Sequence, residues 1–458
     1  MVTPELLTSA AQAIAVGLRS PGSDDSAVRA VLAELHIPAI SVAVVRDGEL
    51  AAARAWGTRD VAATEAATEA TRFMAGSVSK PVAATGALRL VADGVLDLDH
   101  DVNSYLKRWQ LPLLGDWQPT VTLRHLLSHT AGTTVHGFPG YPRAEPAPDV
   151  IGVLGGAGNT PAVVVDSLPG MRWRYSGGGT TIVQALLEDV TGTPFAQLLR
   201  ELVLDPAGMT TADFSQPPDE DVHPLLAEGM AGDGTPVPGG WHVYPEMAAA
   251  GLWCTPSDLA RWIIAVQQSV NGTGSLVPAD VAASMLAEQA PGWGLGPHVS
   301  RPGEHPRFGH GGADEGFLTT LEAGQHDGTG IVVMASSNAA NPLMAAVVTA
   351  IATAEEWPPM PTATTDVAAL LATYAGAWRT ADGLDVRIEP NPQGLTLHLP
   401  GQRPLPLSPH SLSLWSTPVG AEVEFAPVGA GEPRSALTIR PASAFTARRV
   451  DNSVDESQ

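Results

Sequence analysis

Around residues 357–366, "WPPMPTATTD", the texture of the chain changes. Before this point, runs with helical spacing alternate with apolar strand-like runs. After it come "VRIEP", "GLTLHLP", "SLSLWST", "AEVEFAP" and "SALTIRP", separated by Gly, Pro and Asn. Alternation every second residue places successive side chains on opposite faces, the pattern of a half-buried strand. The Pro- and Thr-rich stretch between the two textures reads as a linker. Two folding units follow: an α/β (α+β) unit over residues 1–358 and a small antiparallel β unit, a sheet or barrel, over 359–450. The acidic end "VDNSVDESQ", residues 451–458, is expected to be a disordered tail. A chain of 458 residues is long enough for two cores, and no internal repeat is evident.

Within the first unit, residues 4–18 have helical spacing. "AISVAVVRDGELAAARAWG" reads as two strands joined by a tight turn at Asp47-Gly48. "SVSKPVAATGALRLVADG" is a helix of small and apolar residues that stops near Gly94. "TVTLRHLLSHTAG" predicts a short helix capped by Thr122, and residues 133–170 are Gly- and Pro-rich and irregular. Helices are expected in "TTIVQALLEDVTG", in "PFAQLLRELVLDPAGM" with Pro194 near its first turn, and in "TPSDLARWIIAVQQSV" capped by Thr255 or Ser257. "GFLTTLEA" and "GTGIVVMASSN" read as paired strands, and "PLMAAVVTAIATAEE" as a closing helix.

Composition removes several functions. A formal net charge of −23 argues against binding a nucleic-acid backbone or an anionic membrane surface, both of which need basic patches. Cys254 is the only cysteine, so there is no internal disulfide or multi-cysteine metal site, and a buried free thiol is expected. His125 and His129 lie four apart on one helix, but no Glu stands between them as in His-Glu-x-x-His, so a structural role is expected. Neither lysine follows a glycine, which excludes a P-loop, and no Gly-x-Ser-x-Gly elbow occurs. No metal or other cofactor is implied. The N-terminus has Glu5 where a leader would place Lys or Arg, and "IVVMASSNAANPLMAAVVTAIATA" is interrupted by Ser, Asn and Pro. No signal peptide and no membrane span are expected, which suggests a cytoplasmic protein.

The chemistry concentrates in "GSVSK", residues 76–80. Residues three apart share a helical face, so Ser77 can meet Lys80 while Ser79 points elsewhere. Among 25 Lys and Arg residues only Lys80 and Lys107 are lysine. Arginine stays protonated, whereas a buried lysine can lose its proton and act as a base. The plain alternative is a surface lysine on a helix that opens with serines, and Ser-x-x-Lys alone recurs by chance. Two further segments add to it. "RWRYSGGGTT" puts Tyr175 on a Gly-rich loop before a helix, and "RFGHGGADEGF" puts His310 ahead of Gly311 and Gly312 at a strand-like segment. Glycines on a strand edge let a substrate backbone approach closely.

In this order the three segments resemble the serine β-lactamase and penicillin-binding-protein superfamily, most nearly its class C, esterase and D-aminopeptidase branch. The pattern there is Ser-x-x-Lys, then Tyr-x-Asn, then a Lys- or His-x-Gly strand. "TLRHLLSHTAG" and "WHVYPEMAAAGLWCTPSDLARW" resemble further segments of this branch, and the likeness covers roughly residues 5–355. It implies an antiparallel sheet flanked by helices, an all-helical subdomain between the first two motifs, and a lipocalin-like C-terminal appendage. It also implies that Ser77 is the nucleophile of an acyl-enzyme. Lys80 would take the Ser77 proton or keep Tyr175 ionised, and Tyr175 would pass the proton to the leaving group. The N–H groups of Ser77 and Ala313 would form the oxyanion hole, and His310 would orient Tyr175 or the substrate. Gly177 stands where the pattern has Asn, whose amide contacts the lysine and a substrate carbonyl. This departure argues against β-lactam turnover more than against ester chemistry. Gly311, Gly312, Trp241 and Tyr244 are candidate substrate-binding residues, with a packed loop the alternative for Trp241 and Tyr244. Asp314 and Glu315 are expected on an acidic cleft rim or a solvated turn.

The expected function is acyl transfer from a small ester, amide or peptide-like donor to water or an amine: an intracellular esterase, amidase or biosynthetic transacylase. The alternatives are a D-amino-acid peptidase, a β-lactamase, or a non-catalytic protein that keeps the cleft for ligand binding. The oligomeric state is not legible in the sequence.

Overall fold

The computed structural model describes residues 2–20, 22–300 and 305–357. Beyond them it describes 374–380, 385–391, 394–400, 404–409, 414–416, 422–425, 436–440 and 445–449. The chain divides into two units, residues 1–360 and 361–458. The expected linker and tail lie largely or wholly outside the described residues.

The first unit opens with α1 (Pro4–Arg19) and α2 (Ser26–Glu34), followed by the hairpin β1 (Ala39–Arg46) and β2 (Glu49–Gly57). Asp47 and Gly48 both have positive φ (53° and 74°), the backbone that a two-residue hairpin with native twist requires. Next come β3 (Phe73–Met74), a 3-10 turn at Gly76–Val78, and α3 (Ser79–Ala92). The segment from there to Tyr175 holds α4 (Leu123–Leu127), β4 (Tyr141–Pro142) and α5 (Val150–Leu154). It is helices and loops apart from β4. Then follow α6 (Gly177–Thr191), α7 (Phe195–Leu199), β5 (His242–Val243), α8 (Met247–Ala250), β6 (Trp253–Cys254), α9 (Pro256–Val270) and α10 (Ala279–Leu286). β7 (His298–Ser300), β8 (Arg307–Asp314), β9 (Phe317–Gly324), β10 (Gly330–Ala335) and α11 (Asn341–Ala354) close the unit.

Six strands form one antiparallel sheet in the order β2-β1-β10-β9-β8-β7. The apolar run "AISVAVV" is explained by burial on both sides. Ile40, Val42 and Val44 face a core shared with α1, α2 and α11, while Ala43 and Val45 face a larger core that contains Leu259, Ile263 and Val266 of α9. Sequence neighbours thus serve opposite layers, as a strand's two-residue period demands. The strand pair expected in residues 317–335 is β9 and β10, with Gly330 opposite Ala323. Thr122 caps α4 and Thr255 caps α9, each by accepting an N–H three residues on.

Near the site the sheet edge matters most. β7 pairs only with Arg307–Gly309, so the stretch of β8 from His310 to Asp314 carries no pairing from β7. The turn at Gly76–Val78 lies against that stretch. β3 pairs with β6, and Ala75 N–H donates to Leu252 O at 2.8 Å, which anchors the approach to the turn from the other side.

In the second unit eight antiparallel strands close a barrel: β11 (Gly376–Thr380), β12 (Asp385–Asn391), β13 (Gly394–His398), β14 (Leu405–Pro409), β15 (Leu414–Ser416), β16 (Glu422–Phe425), β17 (Ala436–Arg440) and β18 (Phe445–Arg449). Val386 and Ile388, and Leu395 and Leu397, two apart on their strands, are buried with Trp378 and Tyr374. Among the described residues no helix is long and apolar enough to cross a membrane.

Candidate active site

Two glycines bring the Gly76–Val78 turn onto β8. Gly76 has φ +53°, and a Cβ there would stand 2.5 Å from Ala313 N. A Cβ on Gly312 would collide with Ala75 O and sit 3.3 Å from Ser77 N. Real side chains do not tolerate such approaches, so these positions require glycine. The backbone N–H groups of Ser77 and Ala313 are thereby brought to adjoining places on the turn and the strand. An oxyanion hole needs such a pair of fixed donors.

Ser77 sits on the 3-10 turn, two residues before α3 begins. Lys80, in the first turn of α3 and 4% exposed, donates from Nζ to Ser77 Oγ at 2.9 Å and to Ala249 O of α8 at 2.7 Å. Burial pushes the Lys80 ammonium down to about 7, against the charge of Asp314, which works the other way. Ser79 is used structurally: its Oγ accepts the Leu252 N–H at 3.0 Å.

Tyr175 is positioned by the start of α6. Ser176 caps that helix by accepting the Gly179 N–H at 3.0 Å, and its own N–H donates to His129 Nδ1 at 3.3 Å. The Tyr175 ring stacks obliquely on His129, 4.3 Å between centroids, and meets His136 at 5.0 Å and Trp293 at 5.7 Å. Lys80 Nζ lies 5.0 Å from the Tyr175 ring centre. Burial raises the Tyr175 phenol above its ordinary value, and its hydrogen bond with Ser77 opposes this only in part. Of the two proton roles implied for Lys80, the surroundings therefore favour a neutral amine acting on Ser77 beside a protonated tyrosine, not a tyrosinate.

His310 is buried, with its ring 6.1 Å from Tyr175 and 5.5 Å from Trp293. Its Nδ1 is 2.5 Å from Gly311 O, so the proton sits on Nδ1 and Nε2 is left as an acceptor. Burial and the nearby Lys80 charge push the imidazole down to about 3, so it is neutral. Gly311 is exposed, and a Cβ there would meet nothing within 4 Å.

Two expectations need correction. Asp314 is 6% exposed and not on a solvated turn. In the β8 register it shares a face with His310 and Gly312, so it points inward. Burial raises its carboxyl well above the usual range, while Lys80 and the Gly76 N–H favour the charged form. Only Glu315 is partly exposed. Trp241 is buried, packed between Trp253 (5.7 Å), His223 (5.2 Å) and the Arg143 guanidinium (4.4 Å), which is the packed-loop alternative. Tyr244 is also buried. Its hydroxyl accepts the Glu315 N–H at 2.9 Å, staking the β8–β9 turn one residue beyond Asp314.

His129, His136, Trp293 and Glu246 join the site without having been expected there. Glu246, fully buried at the start of α8, has its carboxyl raised to about 7 by burial. His129 lies within the quoted "SHTAG". Its contact with Tyr175 depends on a left-handed backbone, φ +57°, that the sequence does not announce. His125 closes a capping box with Thr122 and is structural, as expected. Among the described residues no group of three or more His, Cys, Asp or Glu side chains is arranged to hold a metal ion.

The structure thus gathers a serine, a buried lysine and a tyrosine at one place, and comparisons with known proteins give the chain a family. The family model described as Beta-lactamase matches residues 25–356, and the chain belongs to that family. It is similar to Esterase EstB of Burkholderia gladioli, 28% identical over 59% of this chain and 77% of that protein. It is also similar to Protein flp of Staphylococcus aureus (strain N315), 25% identical over 66% of this chain, which spans 60% of that relative's length. In fold it resembles the octameric penicillin-binding protein homologue from Pyrococcus abyssi. That likeness has a TM-score of 0.64 at 20% identity and covers 93% of this chain and 99% of that one. The family and the esterase relative support a place for the chain among serine hydrolases and acyl-transfer proteins in the broad sense.

Proposed function

We propose that the protein is an esterase or amidase, or a transacylase, that works through an acyl-enzyme on Ser77. The observation that carries this is the 2.9 Å contact from Lys80 Nζ to Ser77 Oγ, with the pKa of the buried amine pushed down to about 7. Ser77 Oγ attacks the donor's carbonyl carbon while the Lys80 amine takes the hydroxyl proton. The carbonyl π electrons move to oxygen, which the N–H groups of Ser77 and Ala313 receive. As the tetrahedral species collapses, the bond to the leaving group breaks. Tyr175 gives that group its proton and is reprotonated by the Lys80 ammonium. Water or an amine then attacks the acyl-enzyme, its proton passing back by the same groups, and Ser77 is released. His310, neutral and with a free Nε2 lone pair, accepts a hydrogen bond from Tyr175 or from substrate.

Incubation with a fluorophosphonate or an activated ester, read by intact mass, tests the proposal. One adduct per chain is expected, absent from Ser77→Ala. A wild type that never gains mass overturns it in favour of a binding protein, and so does a Ser77→Ala variant that still does. Added amines then separate the acceptors: exclusive partition to free acid removes the transacylase form.

A further inference from the structure

The segment Thr134–Phe138 is bonded along its backbone to the first turn of α6. His136 O accepts the Gly177 N–H and Val135 O accepts the Gly178 N–H, each at 2.9 Å. Ser176 Oγ donates to Thr134 O at 2.7 Å. Val135 has φ +63°, an unfavourable backbone for a β-branched residue, so these bonds hold the segment against its own preference. The approach depends on glycine. A Cβ on Gly177 would lie 2.9 Å from Phe138 Cε2 and 3.1 Å from His136 O, and one on Gly178 2.7 Å from Thr134 O. Two residues from Tyr175, α6 therefore offers no side chain. The loop offers Phe138 and His136 instead, both half-buried, with the His136 ring 5.0 Å from Tyr175.

Backbone polar groups at this place are already engaged. The N–H groups of Gly177, Gly178 and Gly179 are taken by His136 O, Val135 O and Ser176 Oγ, so the N-terminus of α6 has no first-turn donor left for a carboxylate. The carbonyls of residues 134–136 accept from α6 and Ser176. An amide or charged arm laid here would lose its water without gaining a backbone partner, whereas an apolar chain would gain contact with Phe138.

We infer that Phe138, with His136 beside it, forms the specificity wall for the acyl group and selects donors with an apolar acyl chain over donors whose chain carries an amide or a charge. This rests on the acyl-transfer function proposed above and names its substrate class.

The test compares kcat/KM for p-nitrophenyl butyrate and p-nitrophenyl N-acetylglycinate, each divided by its rate of alkaline hydrolysis. Wild type is expected to favour the butyrate by about tenfold or more. Phe138→Leu, which keeps apolar bulk, should retain most of that preference, and Phe138→Ala should lose most of it. Gly177→Ala pushes a methyl at the Phe138 ring and should alter the ratio, while the Gly177→Ala/Phe138→Ala pair should be less disturbed than the single changes predict. The burst of p-nitrophenol per chain counts intact sites for every variant, so misfolding does not pass for lost specificity. Acylation without preference in wild type, or equal losses on both esters in Phe138→Ala, overturns the inference alone. No acylation of Ser77 by either ester overturns the acyl-transfer function itself and the inference with it.

Discussion

In the proposed reaction Lys80 is the residue on which the chemistry turns, and its burial has a cost. Displacement of its ammonium from 10.5 to about 7 corresponds to about 5 kcal/mol, at about 1.4 kcal/mol for each tenfold change in proton affinity. The sign follows from linkage. The unfolded chain binds this proton more tightly, so the penalty is full below about pH 7 and disappears as pH rises toward 10.5. Lys80→Met is therefore expected to abolish turnover and raise the melting temperature at neutral pH, with the gain over wild type shrinking toward pH 10. A melting series at pH 6, 8 and 10 checks this. Asp314 stabilises the ammonium, so Asp314→Asn should move the pH limb of kcat/KM to lower pH, and an unmoved limb would remove Asp314 from the account. Ser77 and Lys80 were legible because three-residue spacing survives even though Ser77 sits on a 3-10 turn ahead of α3. Asp314 was not, because "ADEG" looks like a solvated turn until the register of β8 points residues 310, 312 and 314 the same way.

At the scale of elements, the candidate site is made where the Gly76–Val78 turn meets the half of β8 that β7 leaves unpaired on its edge. Gly312→Ala should be severe although it removes no functional group. The added methyl collides with Ala75 O and parts the two N–H donors. A fall in kcat of about 100-fold, with KM changed far less and the fold intact by circular dichroism, is expected from losing one oxyanion donor. A kcat within a few-fold of wild type would mean that Ala313 N–H takes no part. The β1–β2 hairpin, the capped helices and the β9–β10 pair could be read from local signals, since turn residues, caps and periodicity act within a few positions. The contact of the Thr134–Phe138 loop with α6 could not. It depends on Val135 taking a left-handed backbone that is held by a bond from Gly178, far along the chain.

At the scale of the molecule, the two textures on either side of residue 360 correspond to two compact units with separate cores. The alternation left a sheet or a barrel open for the second unit; the closed order of eight strands settles it as a barrel, and that order was not legible because strand pairing is not encoded in a two-residue alternation. Every group placed in the candidate site lies in residues 1–360. A chain ending at Met360 should fold and still be labelled at Ser77 by a fluorophosphonate, and loss of labelling with the fold retained would assign the barrel a part in acylation. The most direct measurement is the single-turnover acylation rate of Ser77 by an activated ester, quenched and mapped by mass spectrometry from pH 5 to 9. An adduct is expected on the peptide containing Ser77. Its rate should rise tenfold per pH unit at low pH and level off above about pH 7, as Lys80 loses its proton. An adduct on another residue, or a rate flat across that range, would contradict the proposed reaction.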